Sequence, residues 1–264
     1  MAVSPDLPDA VFHVDGDRFV PTELARGPWS PDAQHGGPPA ALLGRAIERF
    51  EPSTASRVAR VTVELLRPVP LAPLTVTARL VRPGKKVQLV EATIRAGDVD
   101  VVRAVALRLR EAALDFPATA LGPTDRPPEG SAAPRMTREW PVNFGDAVEF
   151  RVVSGGPGTD LGPGTCWIRL AVPLVAGEEP SPLQRVLAAA DFGNGISSPL
   201  GWDRYSFINP DLTVALHRPA RGEWIGLEAV TWPDPAGVAL ADTALYDEGG
   251  RIGRAVQSLL LDSR

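Results

Sequence analysis

An α+β architecture in two copies, each an antiparallel sheet wrapped around one central helix, is predicted by three observations. Motifs recur at a constant shift of 151 residues, each copy has one helical stretch followed by four strand-like runs, and both helical stretches are apolar on nearly every side. At the 151-residue shift, Thr62-Val63, Leu65 and Arg67-Pro68 fall on Thr213-Val214, Leu216 and Arg218-Pro219. Ser30-Pro31 meets Ser181-Pro182, Arg103-Ala104-Val105 meets Arg254-Ala255-Val256, and Leu89 and Glu91 meet Leu240 and Asp242.

In the first copy a Gly/Pro-rich loop ending at His35-Gly36-Gly37 leads into a predicted helix over Pro38 to Phe50. Pro38-Pro39 suits a first turn, where the missing N–H groups cost nothing, and Ala40, Leu43, Ala46, Ile47 and Phe50 recur at helical spacing. Strands are predicted over Arg57 to Leu66, Leu74 to Arg82, Val87 to Ala96 and, after a turn at Gly97-Asp98, Val99 to Arg110. In the second copy Ser181-Pro182-Leu183-Gln184 reads as a capping box opening a helix through Ala190, which stops near Gly193 or Gly195. Strands follow over Asp211 to Leu216, Glu223 to Thr231, Val238 to Tyr246 and Arg251 to Leu261, with a turn at Asp247 to Gly250. Phe116 to Pro141, dense in Pro, Gly, Ser and Thr and without period, reads as a linker. The expected units are 1–115, a linker over 116–145, and 146–264. Two sheet-wrapped helices in one chain make a double hotdog fold.

Composition narrows the function. At 264 residues, with 44% apolar and 22% charged residues, the chain has the profile of a globular protein. A net charge of −5 offers no basic field for a nucleic-acid backbone. Cys166 is the single cysteine, so no internal disulfide and no Cys/His zinc cluster is expected. Met1 to Pro21 carries aspartates and prolines where a signal peptide needs a basic start and an apolar core, and no long apolar run suggests a membrane span, so a cytoplasmic protein is expected. No Gly-x-Ser-x-Gly elbow, Walker loop or dinucleotide fingerprint occurs, and Gly155 to Gly164, although glycine-rich, lacks the strand–helix context of one.

Certain stretches resemble a known family. His35-Gly36-Gly37 leading into a helix, Leu65-Leu66-Arg67-Pro68 and the hairpin Arg82-Pro83-Gly84-Lys85-Lys86-Val87 look like the N-terminal half of acyl-CoA thioesterase II. Ala190-Asp191-Phe192, Leu216-His217-Arg218-Pro219 and Val256-Gln257 look like its C-terminal half. The resemblance implies hydrolysis of an acyl-CoA thioester, without metal or redox cofactor, by an Asp near the end of the second helix, a Thr at the start of the following strand and a Gln on the last strand. Asp191 and Gln257 match the first and third; Asn209 stands in the threonine position. A homo-oligomer, a dimer of double hotdogs, is expected by fold analogy.

The repeat gives these residues a reading of their own. At the 151-residue shift Asp191 lies on Ala40, Asn209 on Val58 and Gln257 on Ala106, so three polar residues replace three apolar ones. A site is sought where one copy breaks the other's pattern. Asp191 falls in the last turn of its helix among Ala188-Ala189-Ala190 and Phe192, where both the helix dipole and apolar surroundings oppose a charge unless a partner compensates. The competing structural role is capping of the following Gly-Asn-Gly loop. Gln257 interrupts an apolar central strand, and Asn209-Pro210 is also a common turn pair. Backbone N–H groups at Gly36-Gly37 are candidates to hold an oxyanion, and His35 could contact substrate, though a lone His before a helix is more often a surface or capping residue. Lys85-Lys86 could meet the phosphates of CoA or be a solvated turn. Two other functions compete: a non-catalytic acyl-CoA or lipid binder, favoured by Asn209, and an enoyl hydratase or dehydratase, disfavoured because no His follows Asp191 at helical spacing.

Overall fold

The computed structural model describes residues 7–50, 56–117, 131–132, 142–155 and 161–264. The first half opens with a short hairpin, β1 (Phe12–Asp15) and β2 (Arg18–Pro21), then α1 (Gly37–Arg49) and four strands: β3 (Ser56–Leu65), β4 (Leu74–Arg82), β5 (Val87–Ala96) and β6 (Val99–Arg110). β7 (Ser131–Ala132), β8 (Val148–Ser154) and β9 (Gly164–Leu170) precede α2 (Pro182–Ala190) and the one-turn α3 (Gly193–Ser197). The chain ends with β10 (Tyr205–Ile208), β11 (Asp211–Leu216), β12 (Ile225–Asp234), β13 (Val238–Asp247) and β14 (Gly250–Ser263). β4, β5, β6 and β11 carry the bounds predicted for them, and the remaining long strands differ by a few residues at their ends.

These strands form one antiparallel sheet in the order β1-β2-β4-β5-β6-β3-β11-β14-β13-β12-β9-β8-β7, with β10 paired to β14. Its centre is the β3–β11 pair, in which Thr62 lies opposite Thr213 and their hydroxyls are 3.2 Å apart. A two-fold pseudo-axis runs through this pair. Thr62 also opposes Val105 as Thr213 opposes Val256, and Ala78 opposes Ala92 as Ala229 opposes Thr243, each member displaced by 151 residues. One bulge also obeys the register, at Ile94/Arg95 with its counterpart at Leu245/Tyr246, whereas the irregularities at Leu80/Arg82 and Val58/Arg60 have none among the described residues of the second half.

The helices do not share that register. α1 starts at Gly37 and α2 at Pro182, 145 residues apart, because the loops before and after the helices differ in length. The Ser30-Pro31 match with Ser181-Pro182 is therefore coincidental, and the helical counterpart of Asp191 is Ala46 rather than Ala40. The capping box is half formed: Ser181 Oγ accepts from Gln184 N at 3.2 Å, but the Gln184 side chain reaches Glu48 of α1 at 3.4 Å. The predicted loop after α2 is α3, buried beneath β12 and β13.

The apolar helices pack on each other inside the curled sheet. A Cβ on Gly44 of α1 would lie 2.6 Å from Leu187 Cδ1, so the absence of a side chain permits this approach. The last part of the expected linker, 142–145, is anchored: Phe144 is fully buried, and Asn143 caps a 3-10 turn at Phe144–Asp146. Residues 118–130 and 133–141, with 156–160 of the glycine-rich stretch, lie outside the described residues.

Candidate active site

The end of α2 meets the start of α1, and this junction holds the buried carboxylate of Asp191, which is 8% exposed. A Cβ on Gly36 would lie 2.7 Å from Asp191 Oδ2, and one on Gly37 would lie 2.7 Å from the Ala188 carbonyl. The Gly-Gly pair thus lets the first turn of α1 close on the carboxylate. The dipole penalty expected at the end of α2 is offset, because the same carboxylate faces the positive end of α1.

Three side chains complete its shell. Asn209, between β10 and β11, donates Nδ2 to Asp191 Oδ1 at 2.7 Å. Gln257, on central strand β14 and 1% exposed, donates Nε2 to the same oxygen at 3.2 Å and accepts from the Asn194 N–H of α3 at 3.2 Å. With its carbonyl held by a backbone N–H, the Gln257 amide has its donor end turned to the acid. His35 Nδ1 lies 2.9 Å from Asp191 Oδ2. The same Nδ1 lies 3.1 Å from the Gly37 nitrogen, and a single ring nitrogen either donates to the carboxylate or accepts from Gly37, not both. Burial pushes the Asp191 carboxyl up, but His35, by charge and hydrogen bond, with Asn209 and the Gly37 N–H, outweighs it and holds the group below the ordinary aspartate range.

Asp191, Asn209, His35 and Gly36 stand at the polar end of a cavity of about 670 Å³. Its apolar part is walled by Trp29, Val69, Phe192, Trp202, Phe207 and Ile208. Trp29 of the first half and Trp202 of the second meet with ring centroids 5.3 Å apart, and Trp202 meets Phe207 at 5.0 Å. Arg67 and Arg264 line the rim, the latter with its guanidinium 5.7 Å from the Trp29 ring. Behind the acid, His35 packs on Phe192 at 4.6 Å and on Phe144 at 5.1 Å, which fixes the imidazole plane.

The structure therefore brings Asp191, Asn209, Gln257, His35, Gly36 and Gly37 to one place. Lys85 and Lys86 are exposed in the β4–β5 turn and do not line the cavity; the cations at its rim are arginines. Two residues escaped the sequence reading. Asn194 lines the cavity with a buried Oδ1 that has no partner among the described residues, and the buried Thr243 has an unpartnered Oγ1. Gly193 permits this packing, since a Cβ there would lie 2.5 Å from Thr243 Oγ1 and 3.1 Å from Gln257 Oε1. No His follows Asp191 at helical spacing, but a histidine partner reaches it from the other half of the chain, His35.

A two-helix hotdog sheet with a lone buried carboxylate at the end of an apolar cavity defines the class of double-hotdog proteins with one polar site. The chain belongs to the acyl-CoA thioesterase family: residues 25–109 match the model of its N-terminal domain and residues 123–261 that of its C-terminal domain. Solved structures share the fold at low identity. A Thermobifida fusca protein provisionally assigned as a thioesterase II is 16% identical, with 96% of each chain covered and a TM-score of 0.73. A hot dog fold protein of unknown function from Alicyclobacillus acidocaldarius is also 16% identical, with 97% of each chain covered and a TM-score of 0.71. The acyl-CoA thioesterase II TesB2 of Mycobacterium marinum is 16% identical over 88% of this chain and 90% of its own, with a TM-score of 0.61. Comparison with curated protein sequences gives no match.

Proposed function

We propose that the protein hydrolyses the thioester of an acyl-CoA, with Asp191 as general base. The observation that carries this reading is a buried carboxylate held by donors from both halves at the polar end of an otherwise apolar cavity. The acyl chain lies along Trp202, Phe207 and Val69, and the CoA phosphates meet Arg67 and Arg264 at the rim. Lys85 and Lys86 stand outside this path.

Asn209 Nδ2 is fixed on Asp191, so its Oδ1 is the group left to receive one hydrogen of a water at the cavity wall. Asp191 receives the other hydrogen. When His35 Nδ1 accepts from Gly37, a lone pair of Asp191 Oδ2 is released to take that proton. The water oxygen bonds to the thioester carbon, the carbonyl oxygen becomes an oxyanion, and the C–S bond then breaks. The proton held by Asp191 returns to the departing thiolate or to solvent, which leaves acid and free thiol. Gly37 N–H is engaged with His35 and Asp191, so the oxyanion falls to the Gly36 N–H and the Asn194 carboxamide. The amide in the threonine position is compatible with hydrolysis because it supplies both a donor and an acceptor.

The test is thiol release from short- to long-chain acyl-CoAs by wild type and Asp191→Asn. A fall of about 10²–10⁴-fold in turnover, the usual contribution of a general base, is expected in a variant that remains folded. Stoichiometric binding without product in wild type would instead establish a carrier. The His35–Asp191 pair also restores one requirement of a hydratase. Loss of enoyl absorbance from crotonyl-CoA without thiol release would favour that second reading.

A further inference from the structure

The pseudo-axis relates the cavity above to a second one of about 240 Å³, lined by Glu48, Ser56, Val58, Arg108, Leu183 and Ala220 among others. The correspondence is residue by residue. Val58 stands where the first cavity has Asn209, Ala220 where it has Val69 and Pro219 where it has Pro68, each 151 residues away. The acid is gone, since the helical counterpart of Asp191 is Ala46, and the strand counterpart of Gln257 is Ala106. The cavity has lost the first site's chemistry and carries different polar groups.

Arg108, on β6 and 3% exposed, is the chief of these. Its Nη2 donates to the Ile47 carbonyl and, at 2.8 Å, to the Phe50 carbonyl, which caps the end of α1. Its Nη1 is buried and has no partner among the described residues, as is Ser56 Oγ. Val58 pairs with Arg108 and Ser56 with Arg110, so Ser56 and Arg108 are diagonal neighbours on the same face of the β3–β6 ladder. Two other charged groups line the cavity: Glu48, which faces Arg108 electrostatically, accepts from Ser181 Oγ at 2.5 Å and from Gln184 Nε2 at 3.4 Å, and Arg57 donates to the His217 carbonyl at 2.9 Å. A buried guanidinium N–H without an acceptor is costly, and a carboxylate on an arginine is among the stronger charge-assisted hydrogen bonds. Apart from Arg57 the rest of the wall is apolar, and the space is about a third of that in the first cavity, which restricts a ligand to a small aliphatic one.

We propose that this second cavity binds a short aliphatic carboxylate, its head group on Arg108 Nη1 and Ser56 Oγ and its chain along Val58, Leu183, Leu216 and Ala220. The assignment is independent of what the first cavity does.

The probe is 6-bromohexanoate, soaked into crystals of the full chain, with hexanoate titrated in solution by calorimetry. Bromine anomalous density in the smaller cavity, with the carboxylate within hydrogen-bond distance of Arg108 Nη1, is expected. Affinity for hexanoate should fall at least tenfold in Ala220→Phe, which fills the cavity, and in Arg108→Met, and should be weakened by Ser56→Val. Arg108→Met also uncaps α1; if it does not fold, the other two variants decide. Bromine confined to the larger cavity, no binding of hexanoate, or affinity unchanged in both Ala220→Phe and Ser56→Val would each overturn the proposal. Asp191→Asn should leave hexanoate binding at this site unchanged, whether or not it abolishes thioester hydrolysis.

Discussion

His35 and Asp191 stand 156 positions apart in sequence and 2.9 Å apart in space, and their contact sets the charge state of the site. Burial raises the Asp191 carboxyl while His35, Asn209 and Gly37 lower it to a greater extent, so the acid stays ionised below the pH at which an ordinary aspartate protonates. Replacing His35 by Phe removes the two largest lowering causes and keeps the packing against Phe144 and Phe192. The acid limb of a kcat/KM profile should then move to higher pH. An unmoved limb would show that His35 does not hold the charge of the base. Gly36→Ala should abolish turnover in a folded protein, because the new Cβ and the Asp191 carboxylate cannot both keep their places. Cys166 offers a control: burial pushes its thiol up to about 12, so native protein should resist alkylation that denatured protein undergoes at once. Asp191 and Gln257 were legible because each breaks an apolar pattern locally, and Asn209 because it replaces Val58 of the first copy and stands in the family's threonine position. The role of His35 was not, since nothing near it in sequence explains it, and Asn194 was concealed in a Gly-Asn-Gly segment that reads as a loop but folds as α3.

Among the elements, those the sequence reveals are long and bounded by clear punctuation: Pro at the start of each helix, Gly-Asp between β5 and β6, and Glu-Gly-Gly between β13 and β14. Most of those it conceals are short. β1 and β2 have four residues each, and only the first residue of β1 is buried. β8 and β9 flank the glycine-rich stretch and, though inside the expected second unit, were not read as strands. The Arg218-Pro219 corner after β11 shows what a motif can do structurally. Arg218 forms paired hydrogen bonds of 2.5 and 2.7 Å with Asp247, which is fully buried and also accepts from the Arg221 and Gly249 N–H groups at 2.7 and 2.8 Å. Burial raises Asp247 but these partners lower it further, so its folded-state pKa is depressed. A depressed carboxylate contributes stability above its unfolded pKa and loses it as pH falls through the folded value. Arg218→Met leaves the carboxylate in place without its cation, and should cost about 3–5 kcal/mol in urea unfolding at neutral pH. That cost should shrink in acid, where Asp247 protonates; a cost independent of pH would mean that packing rather than charge was lost.

At the scale of the whole molecule, the internal repeat was legible as a 151-residue register because strand pairing enforces it through the four long strands of each half. It was misleading at the helices, whose flanking loops changed length without disturbing the sheet. This difference matters for cooperativity. The halves share the β3–β11 ladder at the pseudo-axis, the N–H groups of Val11 and Phe12 donate to the carbonyls of Pro173 and Leu174, and Arg45 of α1 holds Glu178 by two hydrogen bonds of 2.7 and 2.6 Å. The two helices meet at Gly44 and Leu187, so neither half has a closed apolar core without the other. Calorimetry should give one unfolding transition whose van't Hoff and calorimetric enthalpies agree. Gly44→Val forces a branched side chain into Leu187 and should cost about 1–3 kcal/mol as an overpacked core does. Because that contact belongs to both halves, the variant should shift the single transition as a whole. Two transitions in wild type, or a variant in which one half melts early while the other keeps its midpoint, would show two independent cores. The active site would then be an interface between them, whereas a single transition makes the His35–Asp191 contact part of one folding unit.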